Sequence, residues 1–172
     1  MIEVYYTAIE TSDLTRGQVR SYEHRAGMLL LELALKMVHG VKKMPEVCYG
    51  DQGKPYLSDH SYEFNISHSH GRIALALSDQ PIGIDIESQS RIVPELVRNR
   101  FFKGDDARVE DWTKFESYSK LKGEGIYTAS YPPHEKNIYF KSYQTEDNYI
   151  VSVCAASEDF PAEMTHLDIE IK

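Results

Sequence analysis

Apolar and polar positions alternate at the start of the chain, in Ile2-Glu3-Val4-Tyr5-Tyr6, and this period of two predicts a first strand. The polar stretch from Thr11 to Gly17, with Ser12 and Asp13, then marks a turn or a helix start. From Tyr22 to Val38 the period lengthens. Tyr22, Ala26, Leu29, Leu30, Leu33, Leu35 and Met37 recur at helical spacing, and Gly40 supplies a stop before Lys42, Lys43 and Pro45. A turn at Gly50-Asp51-Gln52-Gly53 leads into three short strands, Tyr62 to Ile66, Arg72 to Leu77 and Ile82 to Glu87, punctuated by Gly71 and Pro81. After Glu87 the pattern begins again, with helices over Val93 to Phe102 and Val109 to Leu121 and strands near Ile138 to Tyr143 and Tyr149 to Ala155. The tail from Leu167 to Ile171 reads either as one more strand or as a frayed end. No repeat of fixed period is visible. Each half nevertheless gives a helix followed by strands, so the expected architecture is an α+β chain of two comparable halves, residues 1–88 and 89–172.

Composition constrains the partners more than the fold. The 172 residues have room for one ordinary domain or two small fused ones, and 41% hydrophobic with 27% charged residues excludes a disordered chain. Nineteen Lys and Arg against 27 Asp and Glu leave a net charge of −8, which argues against broad binding to nucleic acid or to an anionic membrane. An anionic ligand therefore has to be held by a local basic pocket. No run approaches the ~20 apolar residues of a membrane span, since Met28-Leu29-Leu30-Leu31 is cut by Glu32. The first residues lack the basic and apolar regions of a signal peptide, and a cytoplasmic location is expected. Cys48 and Cys154 form no CxxC pair and are expected as buried free thiols.

Phosphate-loop, dinucleotide, HExxH and nucleophile-elbow signatures are missing, so the chemistry has to come from short polar interruptions in apolar elements. In Ile82-Gly83-Ile84-Asp85-Ile86-Glu87, strand geometry puts Asp85 and Glu87 on one face and the three isoleucines on the other. Such a pair is either a solvated strand face or an all-oxygen site suited to Mg²⁺ or Mn²⁺. Between Trp112 and Lys120, Glu116 and Lys120 stand four apart on one helical face, as a surface ion pair or as a third carboxylate with a cation. Phe64-Asn65-Ile66-Ser67-His68-Ser69-His70-Gly71 carries amide, hydroxyl and imidazole groups where a strand should turn. These groups can bind phosphate or simply satisfy one another, and the two imidazoles could alternatively take zinc. Gly53-Lys54-Pro55 and His24-Arg25 each add a cation that, taken alone, reads as solvated surface.

Taken in order, Gly53-Lys54-Pro55, Phe64 through Ser69, Ile82 through Glu87 and Trp112 through Lys120 resemble the 4′-phosphopantetheinyl transferases, the surfactin-synthetase type most closely. That pattern is a GKP turn, an FNxSHS segment, an IGIDIE strand and a W-x-x-K-E-S-x-x-K helix. The resemblance runs from about Tyr22 to Pro161 and implies the fold of that family, two similar α/β halves forming a pseudodimer that works as a monomer with one site between the halves. It implies transfer of the 4′-phosphopantetheine arm of coenzyme A to a serine of an apo acyl or peptidyl carrier protein, releasing adenosine 3′,5′-bisphosphate. By motif position Asp85, Glu87 and Glu116 would hold Mg²⁺, Lys120 would meet the phosphates, and Glu116 would serve as the base. Lys54 and Pro55 would lie beside the nucleotide, with Ser67, His68 and Arg25 at its 3′-phosphate. The residue before Glu116, usually lysine in the family, is Phe115 here, with Lys114 turned about 100° to another face. The family's basic cluster before the long helix is reduced to Arg16 and Arg20, and the stretch from Phe102 to Trp112 is short. These departures keep a second reading in view, a relative that binds coenzyme A or a carrier protein without catalysis. A divalent-metal phosphohydrolase on another fold is a third, and it would make the motif order a coincidence. Arg91, Arg98, Arg100, Lys103 and Arg108 form a basic stretch expected either to contact an acidic carrier or to lie solvated.

Overall fold

The computed structural model describes residues 1–102, 107–124, 133 and 135–171. Lys103 and Gly125 lie outside them. The chain opens with β1 (Ile2–Ala8) and α1 (Arg16–Met37), a longer helix than its apolar repeat predicts. The extra turn has a local cause: the Gln18 side chain reaches back to the Thr15 backbone N–H at 2.9 Å, a capping-box contact that starts the helix before its apolar face begins. The Gly50 turn is flanked by a short hairpin, β2 (Val47–Tyr49) and β3 (Pro55–Leu57), that the sequence pattern did not reveal. Then come β4 (Glu63–Ser69), β5 (Arg72–Ser78), β6 (Ile82–Ser88), α2 (Glu95–Phe101), α3 (Val109–Lys122), β7 (Tyr139–Gln144), β8 (Tyr149–Ala155) and β9 (Thr165–His166). Pro94 holds the N-cap of α2, so Val93 and Pro94 precede the helix instead of opening it.

Besides the β2–β3 hairpin, the described residues form two sheets, β4-β5-β1-β9 and β6-β8-β7, antiparallel except for the β1–β9 pair. Their facing sides share one core, in which Val4, Ala74 and Ala76 meet Ile82, Ile84, Ile86, Val151 and Val153. The other side of the first sheet packs Phe64, Ile73, Leu75 and Leu77 against Leu30, Leu31, Ala34 and Leu35 of α1. α3 lies on the far side of the second sheet, and α2 closes onto it through Val93, Val97, Trp112 and Phe115. The tail beyond β9 is not a strand. Leu167 donates its N–H to Tyr6 O, and Leu167, Ile169 and Ile171 pack against the helix-side core.

The strand β6 positions the functional residues. Its backbone ladder is with β8, yet its open edge lies against β4. There Asn65 Oδ1 accepts the Ile84 N–H at 2.9 Å, and Ser67 Oγ accepts the Ile86 N–H at 3.3 Å. Two side chains of β4 thus satisfy backbone donors that would otherwise be buried without partners. Cys154 is buried and Cys48 half-buried, both as free thiols, and burial pushes the Cys154 thiol far up. Among the described residues no helix is long and apolar enough to cross a membrane.

Candidate active site

The alternation read along β6 holds: Ile82, Ile84 and Ile86 fill the inter-sheet core, while Gly83, Asp85 and Glu87 face α3. Asp85 and Glu87 are buried, at 5% and 9% exposure, so the solvated-face reading of that strand is set aside. Close approach of the helix depends on Gly83, because a Cβ there would stand 2.0 Å from Ser117 O and 2.6 Å from Leu121 N.

α3 brings Lys120 to this face. Its ammonium donates to Asp85 Oδ1 at 2.7 Å and to Ser67 Oγ at 2.8 Å, and Ser67 in turn donates to Asp85 Oδ1 at 2.9 Å. The Ser67 hydroxyl is therefore part of the carboxylate site. Ser69, two residues along β4, donates to Glu87 Oε2 at 2.8 Å, and Arg91 closes onto Glu87 Oε1 while its guanidinium lies over the Trp112 ring. Neither Ser69 nor Arg91 was assigned to the site from sequence. Period two along β4 already puts Ser69 on the face of Ser67, but nothing local in the sequence shows that Arg91 folds back on Glu87 after the strand ends.

Glu116, one turn before Lys120, completes the set. Its carboxyl is pushed up to about 7, first by burial and then by the negative charge of Asp85, with Lys120 opposing and Glu87 adding to the rise. Among the described residues no three His, Cys, Asp and Glu side chains are gathered into a metal-binding group. Instead Asp85 and Glu87 each give one oxygen to a protein cation, while Asp85 Oδ2 is buried with no hydrogen-bond partner. A buried carboxylate oxygen without a donor is costly. The orphan atom, the coupled acidity of Glu116 and an oxygen-only donor set suit a hard divalent cation.

Beside the carboxylates an open cleft of about 290 Å³ is lined by Gly53, Lys54, Pro55, Asn65, Ile66, Ser119, Lys120 and Gly123. Three of the four sequence motifs meet in its walls. The Lys54 ammonium reaches across to Ile82 O at 3.4 Å and Leu121 O at 3.3 Å, so it ties the turn to β6 and to the end of α3, and burial lowers its pKa. A larger hollow of about 830 Å³ lies elsewhere, at the β7–β8 turn, and none of the motif residues lines it. His68 stands on the α1 side of β4, its Nδ1 2.9 Å from Glu23 Oε2, and Arg25 lies exposed on α1 two residues beyond Glu23, about 200° round the helix. The structure thus gathers Asp85, Glu87, Glu116, Lys120 and Ser67 at one face and Lys54 and Pro55 in the adjoining cleft. His68 lies on the other side of β4, and the structure does not bring Arg25 to the carboxylate face. Phe115 is fully buried, its ring 4.4 Å from that of Phe101 and 6.0 Å from that of Trp112, so it belongs to the core and not to the site.

No family model matches the chain. Among individual proteins, the 4′-phosphopantetheinyl transferase Sfp of Bacillus subtilis strain 168 is 30% identical across 70% of this chain and 67% of its own length. The 4′-phosphopantetheinyl transferase psf-1 of Bacillus pumilus is 28% identical across 68% of this chain and 62% of its own length. The 4′-phosphopantetheinyl transferase gsp of Aneurinibacillus migulanus is 37% identical across 45% of this chain and 38% of its own length. With the motif residues converging between β4, β6 and α3, these similarities establish that the chain is an enzyme belonging to the Sfp-like 4′-phosphopantetheinyl transferases.

Proposed function

We propose that this enzyme transfers the 4′-phosphopantetheine arm of coenzyme A to a serine hydroxyl of an apo acyl or peptidyl carrier protein in a Mg²⁺-dependent reaction, releasing adenosine 3′,5′-bisphosphate. The observation that carries the reading is the arrangement around Asp85: Lys120 on one oxygen, an orphaned second oxygen, and Glu116 poised near neutrality by burial beside it. Asp85, Glu87 and Glu116 are the residues that would hold Mg²⁺ or Mn²⁺. A cation held there would supply charge neutralisation to the pyrophosphate.

Lys120 adds a positive charge at the mouth of the cleft, where the leaving phosphate develops its charge. Glu116, directly or through a water, takes the proton of the attacking serine; its carboxyl lies near 7 without metal, and a bound cation would hold it ionised and able to accept. Lys54 and Pro55 line the nucleotide side of the cleft. His68, on the α1 side of β4, and Arg25, exposed on α1, are assigned to the 3′-phosphate, while the Ser67 hydroxyl stays on the opposite, Asp85 face.

One site per chain between two halves, residues 1–88 and 89–172, and a monomeric pseudodimer complete the reading. An acidic carrier protein would dock on α2, where exposed Ile92 and Leu96 adjoin Arg98 and Arg100. Arg91 is not part of that surface, because it is committed to Glu87 and Trp112.

A second reading, a relative that binds coenzyme A or a carrier protein without turnover, is favoured by one observation: Asp85 and Glu87 are already paired with protein cations. Asp85→Asn separates the two. Loss of transfer with coenzyme A binding retained supports the enzyme, and a wild-type protein that binds coenzyme A but modifies no carrier supports the second reading.

A further inference from the structure

Glu23 lies on α1 at the start of the helical repeat, and its position there carries no motif. Its side chain is 8% exposed, and a carboxylate buried to that extent is tolerated only when its oxygens are hydrogen-bonded. Both are. Oε1 accepts the Gly71 backbone N–H at 2.7 Å, and Oε2 lies 2.9 Å from His68 Nδ1. Gly71 and His70 form the two-residue turn between β4 and β5 with φ of 76° and 50°, the left-handed pair that a tight hairpin of this kind requires. That turn cannot shift easily, since a Cβ on Gly71 would stand 2.5 Å from Ile9 O. The carboxylate is therefore clamped to rigid backbone at one oxygen and presents the other to the imidazole.

We infer that Glu23 is a positioning residue that holds the His68 ring through Nδ1–H and so aims Nε2 outward at a phosphate monoester. The ring is about one third exposed, and the nitrogen opposite the clamp is the one left to face a ligand. The Glu23 carboxylate can only accept, so the ring turns its Nδ1 to it and Nε2 away from it. A buried acceptor behind a ligand-binding histidine sets ring orientation and proton position in the same way as it does behind metal-bound histidines. The inference rests on the proposed function, in which the monoester is the 3′-phosphate of coenzyme A. It adds that discrimination between coenzyme A and its 3′-dephospho form depends on a helix residue that never touches the ligand.

Calorimetric affinities for coenzyme A and for 3′-dephospho-coenzyme A test it in the wild type and in Glu23→Gln, Glu23→Asp and His68→Ala. Glu23→Gln keeps an acceptor for Gly71 N–H but withdraws the charge behind His68. It should weaken coenzyme A binding about tenfold and leave dephospho-coenzyme A binding and the turnover number unchanged. Glu23→Asp should recover part of the loss. In ¹⁵N imidazole spectra, coenzyme A should shift the His68 Nε2 signal in the wild type, and the Nδ1 signal should change in Glu23→Gln. If His68→Ala abolishes discrimination while Glu23→Gln retains it, the positioning role is overturned and the phosphate reading survives. If His68→Ala leaves discrimination intact, the placement of the 3′-phosphate at His68 fails and the inference with it. A fall in melting temperature with equal weakening toward both ligands would reduce Glu23 to a structural clamp.

Discussion

Glu116 holds a proton in the folded protein that the unfolded chain has already released. Its folded value is raised from 4.5 to about 7, so between those values the native state binds more protons than the unfolded one and stability falls as pH rises. The size of the effect is on the order of 3 kcal/mol, present below pH 4.5 and gone above 7. Urea denaturation of the metal-free protein at pH 5 and pH 8 should show this loss, and Glu116→Gln, which stays neutral, should remove most of the difference. Adding Mg²⁺ at pH 8 should restabilise the wild type, and at pH 6, where Glu116 still holds most of its proton, its binding should release protons, because a ligating carboxylate must ionise. In transfer assays Glu116→Gln should lower kcat by about 10²-fold or more with coenzyme A binding retained. Phe115 makes a contrasting case. It is fully enclosed by Phe101, Phe102 and Trp112, so restoring the lysine common in the family would bury a charge without a partner. Phe115→Lys should cost about 3 kcal/mol or more, whereas Phe115→Leu should be mild; thermal melts of both variants check this.

The site exists because β6 is held on three sides, by β8 through its ladder, by β4 through side chains and by α3 through a glycine. Gly83→Ala places a methyl against α3 backbone that cannot rotate away, so α3 and with it Glu116 and Lys120 must shift. A loss of about 3 kcal/mol and a fall in activity larger than that of a surface control should follow. Asn65→Ala leaves the Ile84 N–H buried without an acceptor and should cost about 1–3 kcal/mol by the same denaturation assay.

The strands β1, β5, β6 and β8 could be read from the sequence because each is buried on at least one face, and α3 because Trp112, Phe115 and Tyr118 recur on one buried side; β4 could be read only to Ile66, since the polar Ser67 and Ser69 that continue it face β6 and read as a turn. The β2–β3 hairpin could not, since Val47, Cys48 and Tyr49 are half-buried or exposed and too short for a pattern. The carboxylate trio was legible as spacing. Lys120 was legible with it, and Ser69 shares the strand face of Ser67, but Arg91 on Glu87 and Glu23 on His68 were not, because those pairs form through folding contacts with no local trace.

At the scale of the whole molecule, a chain with net charge −8 has to recruit an acidic partner through a local exception. α2 offers Arg98 and Arg100 beside exposed Ile92 and Leu96. Charge reversal at Arg100 should raise the carrier KM several-fold, more at low salt than at high salt, with the coenzyme A KM unchanged. An unchanged carrier KM would remove α2 from the docking surface.

The central claim is tested most directly by intact-mass spectrometry of a panel of apo carrier proteins incubated with the enzyme, coenzyme A and Mg²⁺, in parallel with EDTA and with Asp85→Asn. The predicted result is a mass gain of one phosphopantetheine arm on at least one carrier, abolished by EDTA and by the substitution. The same gain in EDTA, full activity of Asp85→Asn, or no gain on any carrier by an enzyme that binds coenzyme A would contradict it.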